Sequence, residues 1–293
     1  MRIQITLQAS MPGVIDFNYQ HQIQSIIYNF LSYSNPDYSS WLHNQGYIYR
    51  REKRFKLFVF SGIIFHNPVK IIKGDSASNH KGGFSFKASD NQPFSFSFQI
   101  ASPVEEFIQH LVEGIFQKGS VISLGKQKVC VSRVETLPAP AAIEANNETG
   151  ITLRPLESPL FVKKPMPAGM HDTYLFPGDD EYEELLNQNL MHKYETLYGK
   201  PYQRTPLKFH FQNVNGKSVK QITVFIRAKE GGFIPINIKG TLQPFTVTGD
   251  KELISIGLEC GFGQNNSMGC GYVEMNRKGQ GSKDLRSATN EPE

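Results

Sequence analysis

The sequence predicts an α+β fold in which a β-α-β-β-α-β order of elements occurs twice in tandem. Three observations predict it. Each half opens on a short strand pattern that leads into a helical one. In the first half, phenylalanine alternates with polar residues ahead of a second helix, as in antiparallel strands with one covered face. Between the halves lie Leu137-Pro-Ala-Pro-Ala-Ala142 and a polar run to Gly150, a linker by composition.

Residues 2–8 alternate polar and apolar and read as a strand. Residues 17–33 carry Ile23, Ile26, Ile27, Phe30 and Leu31 on one helical face. Pro36 opens a short second helix that stops at Gly46. Phe55–Ser61 reads as one strand, and the stretch 84–100, with Phe84, Phe86, Phe94, Phe96 and Phe98, as a half-buried antiparallel pair. A helix over 103–117 follows, its apolar face Phe107, Ile108, Leu111, Val112, Ile115 and Phe116, and Gly119 ends it. Lys128–Val134 closes the first half as a strand.

In the second half Ile151–Arg154 and Leu160–Lys163 are short strands. Asp179–Leu197 is a helix with acidic residues in its first turn and Gly199 past its end. Strands follow at about 207–212, 219–228, 233–239 and 241–247. A short helix around Leu253–Leu258, a glycine loop and a strand ending near Met275 finish it. The predicted divisions are residues 1–136, a linker at 137–150, residues 151–276, and a polar tail at 277–293 that reads as disordered.

At 293 residues the chain is long enough for two cores. Apolar content of 39% and charged content of 20% describe an ordinary soluble protein. No run of eighteen apolar residues exists, so no membrane association is expected. The start of the chain lacks the basic-then-apolar pattern of a signal peptide. Cys130, Cys260 and Cys270 have no metal-ligand spacing and leave an odd thiol under any pairing, which points to a reducing cytoplasm. No His-Glu-x-x-His or Cys-x-x-Cys occurs, so neither a metal nor another cofactor is expected. The net charge of +4 says little, but Arg50, Arg51, Lys53, Arg54 and Lys56 fall within seven residues.

Cys260 to Val273 reads Cys-Gly-Phe-Gly-Gln-Asn-Asn-Ser-Met-Gly-Cys-Gly-Tyr-Val. Glycines 261, 263, 269 and 271 bracket a polar stretch without an acidic residue, a composition suited to a phosphate backbone. It is not a dinucleotide fingerprint, because it follows a helix and Asn266 stands at the third glycine position. Gly216-Lys217-Ser218 is not a Walker A loop either, since Phe211 occupies the required glycine position.

The pattern G-x-G-x-x-N-S-x-G-x-G-x-V, carried by Gly263, Asn266, Ser267, Gly269, Gly271 and Val273, resembles the glycine-rich signature of CRISPR-associated repeat-processing endoribonucleases. Further segments resemble the family in order: residues 26–30, Asn35-Pro36, Trp41-Leu42-His43, Lys56-Leu57-Phe58, Thr152-Leu-Arg-Pro155 and Tyr198-Gly199. The resemblance implies two tandem ferredoxin-like (RRM-like) domains. It also implies metal-independent cleavage of CRISPR precursor RNA within its repeats. In that chemistry a ribose 2′-OH attacks the neighbouring phosphorus, leaving a 2′,3′-cyclic phosphate and a 5′-OH.

The resemblance further implies a catalytic tyrosine, histidine and lysine, matched here by Tyr28, His43 and Lys56. Tyr28 lies roughly 120° off the apolar stripe of its helix. His43 has the side chain suited to proton exchange near neutrality. The thirteen-residue gap from His43 to Lys56 is longer than in the family pattern, which leaves Lys53 or Arg54 open for the cationic role. Candidate RNA contacts are Arg50, Arg51, Lys53, Arg54, Lys163, Lys164, Arg227 and Lys229. Gly261, Gly263, Gln264, Asn265, Asn266, Ser267, Gly269 and Gly271 of the loop join them. Implied partners are the repeat RNA as precursor and product, subunits of a CRISPR effector complex, and a second copy of the chain. Two other readings stay open: a repeat-binding subunit that does not cleave, and a generic RRM-type RNA binder using its phenylalanine-rich strands.

Overall fold

Alternation in the first residues builds the central strand of the larger sheet. The structure is a computed structural model describing residues 1–275 except 52, 74–83, 120, 139–149, 166–172, 213–218 and 228–232; at 91, 222–227 and 233–236 it describes the backbone alone. The expected linker from 139 and the tail from 277 therefore lie outside the described residues.

The first half runs β1 (Arg2–Ala9), β2 (Val14–Asp16), α1 (Gln20–Ser34), α2 (Pro36–Asn44), β3 (Tyr47–Tyr49), β4 (Lys53–Phe55), β5 (Val59–Phe60), β6 (Ile64–Phe65), β7 (Val69–Lys73), β8 (Phe84–Ala88), β9 (Ser95–Ala101), α3 (Glu105–Lys118), β10 (Val121–Leu124) and β11 (Gln127–Leu137). The second runs β12 (Ile151–Pro155), β13 (Val162–Lys164), β14 (Thr173–Leu175), α4 (Tyr182–Tyr198), β15 (Lys208–Phe211), β16 (Val219–Arg227), β17 (Phe233–Thr241), β18 (Phe245–Thr248), α5 (Lys251–Cys260) and β19 (Val273–Met275). The fold is a mixed α+β arrangement with antiparallel sheets.

The larger sheet has the order β10-β11-β1-β9-β5, with β6 also on β9. Ile5 of β1 sits opposite Phe98 of β9 and Val134 of β11. α1 and α3 cover one face, and Ile23, Ile27, Phe30 and Leu31 of α1 are fully buried there. Asn35 caps α2 by accepting from Tyr38 N at 3.0 Å, and Pro36 starts the helix. The second sheet has the order β15-β18-β12-β19. Leu186 and Leu190 of α4 and Leu253, Ile254 and Leu258 of α5 join its core.

The two sheets share one plan. With auxiliary strands set aside, each places its last strand beside its first, and its third between its first and second.

Four sequence expectations change. Phe55–Ser61 is not one strand, because Leu57 takes a left-handed φ of 52° and separates β4 from β5. Phe55 and Leu57 then pack into the second core, while Phe58 and Phe60 pack into the first. The stretch 84–100 is not a paired hairpin. β8 pairs with β2 and β7, β9 lies inside the larger sheet, and a 3₁₀ turn at Ser89–Asn91 divides them. Phe116 lies outside the apolar face of α3, at 76% exposed. The strand expected over 241–247 is interrupted at 242–244, where Pro244 removes a ladder donor.

The halves meet along β5, β9 and the glycine loop. Arg2 donates from Nη2 to Val273 O at 2.6 Å and Leu258 O at 3.2 Å. The Tyr272 hydroxyl donates to Gln99 Oε1 at 2.7 Å. Ser158 Oγ donates to Gly269 O, accepts from Tyr272 N, both at 2.9 Å, and lies 3.3 Å from Phe60 O. These backbone groups lie away from water, and each is given a partner, as burial requires.

Candidate active site and nucleic-acid interface

Tyr28, His43 and Lys56 come from three separate segments and meet at one place. Tyr28 projects from α1 beside the apolar stripe and is half-buried. Its ring stands edge-on to the His43 imidazole with centroids 5.0 Å apart, and edge-on to Phe58 at 6.1 Å. Burial pushes its hydroxyl well above the usual tyrosine range, so the proton stays on at neutral pH.

His43 lies in the last turn of α2 and is exposed. Its Nδ1 is 3.2 Å from Asn44 Oδ1. Lys56 Nζ donates to the carbonyls of Leu42 and His43, the latter at 2.7 Å. These are orphan carbonyls at a helix end, where a cation also meets the negative end of the dipole. Burial, with Arg54 nearby, lowers the pKa of Lys56.

Gly46 makes this contact sterically possible. It ends α2 at φ 64°, and a Cβ there would stand 2.5 Å from Phe55 O and 3.0 Å from Lys56 Cδ.

The stretch that lengthens the gap between His43 and Lys56 is the β3–β4 hairpin. Tyr49 stacks on His192 of α4 at 4.3 Å, and Lys53 Nζ donates to His192 Nδ1 at 3.3 Å. Lys53 thus points to α4, and burial lowers its pKa. Arg54 is exposed and its Nη1 donates to Asn44 O at 3.4 Å. Arg50 pairs with Glu195 at 3.4 Å and covers Tyr49, while Arg51 is exposed. Of the three cations considered beside His43, Lys56 is the one bonded to its backbone.

Opposite this hairpin stands the glycine loop, and the two enclose a cleft of about 240 Å³. Lys53, Arg54 and Lys56 line one side, and Gln264, Asn265 and Ser267 the other. Gly261, Gly263, Gly269 and Gly271 are themselves buried. The loop's amides are also less available than its composition suggests. Gln264 N donates to Phe161 O at 2.7 Å, Gly271 N to Pro159 O at 2.9 Å, and Gly269 N to Asn266 O at 3.1 Å. Asn266 Nδ2 bonds Cys270 O at 2.9 Å, closing the loop on itself. The loop is packed in the seam, and its polar side chains are what reach the cleft.

Behind it lies Lys193 of α4, unremarked in the sequence. It is 2% exposed and donates to Gly261 O at 2.6 Å and Gly263 O at 2.9 Å. Burial lowers its pKa to about 7. The available signal was a lysine in register with Leu186 and Leu190 on the buried face of α4.

Of the other candidates, Lys164 is paired with Glu181 at 2.7 Å, and the Lys163 carbonyl accepts from Gln264 Nε2 at 3.2 Å. The Arg227 side chain and Lys229 lie outside the described residues. Among the described residues, no group of three or more His, Cys, Asp or Glu is arranged to hold a metal ion, and no helix is long and apolar enough to cross a membrane.

Two family models match this chain. CRISPR-associated protein Cas6, N-terminal, matches residues 14–135, and CRISPR associated protein Cas6, C-terminal, matches residues 140–275. The CRISPR-associated endoribonuclease Cas6 1 of Methanocaldococcus jannaschii is 28% identical over 290 residues, covering 98% of each chain. The CRISPR-associated endoribonuclease Cas6 of Pyrococcus furiosus is 25% identical over 274 residues, 94% of this chain and 87% of that one. A solved CRISPR associated protein Cas6 aligns at a TM-score of 0.63 and 29% identity, over 94% of this chain and 98% of that one. A Cas6-related protein from P. furiosus shares the fold at a TM-score of 0.69 and 22% identity, over 95% and 99%. These relatives define a CRISPR-associated class. The chain belongs to the Cas6 family of CRISPR-associated endoribonucleases.

Proposed function

We propose that the protein cleaves CRISPR precursor RNA within its repeats, by metal-independent attack of a ribose 2′-OH on the adjacent phosphorus. The observation that carries this reading is the meeting of Tyr28, His43 and Lys56 at the edge of a basic cleft. The reaction needs a proton acceptor, a proton donor and a cation near the phosphorane. His43 is exposed and free to exchange protons with bound RNA. Tyr28 keeps its proton and is suited to donate to the substrate. Lys56 holds the end of α2, and so the backbone of His43, while bringing positive charge to the site. We further infer that the halves, 1–136 and 151–276, are tandem ferredoxin-like domains; their common strand order supports this. The RNA backbone follows the basic hairpin and the polar side chains of the glycine loop.

The test is incubation with cognate repeat RNA in excess EDTA. Wild type yields a 2′,3′-cyclic phosphate and a 5′-OH. His43→Ala cuts about 10²–10⁴-fold more slowly while still binding RNA. Cutting that needs a divalent ion, or cutting of RNA with 2′-deoxyribose at the scissile nucleotide, overturns the reading.

A further inference from the structure

The cleft between the basic hairpin and the glycine loop ends against α4, where Asn189 forms part of its wall. Asn189 is 3% exposed, and its Oδ1 has no hydrogen-bond partner among the described residues. Its neighbour one turn along, Lys193, satisfies two carbonyls of the loop. Lys193 is thus engaged, whereas this oxygen on the same helix is not. An unmet buried acceptor destabilises the fold, and an apolar side chain of the same shape avoids that cost. Such a group in a native interior calls for an explanation, and a donor arriving with a ligand supplies one.

The size of the cleft limits the occupant. At about 240 Å³ it falls below the range of roughly 300–1,000 Å³ typical of drug-sized ligands. A single planar base, one ring or two fused rings, fits that space. Its lining also carries Arg54 and Lys56, the groups that would hold a phosphate while the attached ring turns inward. Proteins read unpaired RNA in this way, with splayed bases hydrogen-bonded along their edges. An asparagine amide complements the amino group and ring nitrogen of adenine in particular.

We propose that the inner end of the cleft is a base-reading subsite in which Asn189 Oδ1 accepts a hydrogen bond from the N6 amino group of one unpaired adenine of the RNA. The proposal rests on the reading of the cleft as an RNA-binding surface, not on the cleavage mechanism. Asn189 is a specificity residue and has no part in the proton transfers.

The test measures binding of cognate repeat RNA in a His43→Ala background, where the strand stays intact. Each adenosine in turn is replaced by purine riboside, which lacks the N6 amine. At one position the loss weakens binding on the order of tenfold. With Asn189→Leu added, the normal RNA binds more weakly and that position no longer discriminates. Because leucine removes an unsatisfied oxygen, the RNA-free Asn189→Leu protein melts no lower than its parent. Equal discrimination by both proteins at every adenosine overturns the proposal, as does coupling confined to another base. A melting point several degrees lower for Asn189→Leu also overturns it, because the side chain then serves the fold. Failure of the RNA to bind at all defeats the RNA-cleft reading along with it, whereas cutting by His43→Ala at the wild-type rate defeats the proposed mechanism alone.

Discussion

Lys193 is a buried amine whose hydrogen bonds run to two carbonyls. Its pKa falls to about 7 by burial, from an unfolded value near 10.5. Between these values the unfolded chain holds the extra proton, so stability rises with pH across the window. The contribution is complete above the unfolded pKa and is lost as pH falls to about 7. The unfolding free energy of wild type relative to Lys193→Met, read from urea titrations, therefore climbs from pH 7 to pH 10, with a slope of at most about 1.4 kcal/mol per pH unit. A difference that stays flat would mean an ordinary lysine pKa. At this scale the sequence was informative where chemistry is local. Tyr28 lay off its helix stripe, and His43 sat in a recognisable segment. Lys193 and Asn189 were not found, because their meaning comes from a loop some seventy residues further along the chain.

The β3–β4 hairpin is an element under local strain. Arg50 and Arg51 both take left-handed backbone conformations, at φ 45° and 67°. For residues with a Cβ such conformations cost roughly 1–2 kcal/mol each. Arg51→Gly should therefore stabilise the RNA-free protein by about 1 kcal/mol, read from urea unfolding. The same change should weaken RNA binding and reduce the slope of log K against log salt by about 0.7 if one phosphate contact is lost. Gain of stability with unchanged binding would remove Arg51 from the interface. The cluster of basic residues was legible in the sequence, but its hairpin was not. Two strands of three residues are too short to reveal a period, and their docking depends on Tyr49 meeting His192 from the other half.

Across the whole molecule, the order of elements along the chain followed from hydrophobic patterning better than the seam did. The main strands and helices appeared in their places within a few residues. The subsidiary β2-β8-β7 sheet did not, since β7 and β8 carry exposed Ile71 and Phe84 that mimic core alternation. The glycine loop was read as a ligand surface from its composition, whereas it is fixed by packing: by hydrogen bonds within its own half, and by close contact of Gly261 with Val59 and of Gly269 with Phe60 of the other. Within the loop itself Gly271 is as tightly placed: at φ 82° a Cβ would lie 2.0 Å from Phe262 O. Gly271→Ala should lower the stability of the RNA-free protein by about 2–4 kcal/mol, measured by thermal unfolding without any RNA present. An unchanged melting curve would return the loop to a purely ligand-facing role.

The Ser158 hydroxyl reaches the loop carbonyl of Gly269 and the amide of Tyr272, and lies against the Phe60 carbonyl on the opposite half. Two bodies fastened through main-chain groups have little freedom to hinge. If RNA binds in the groove as proposed, the groove is a fixed mould and the transcript does the bending. Sequences that kink easily would then gain an advantage that no individual contact would reveal.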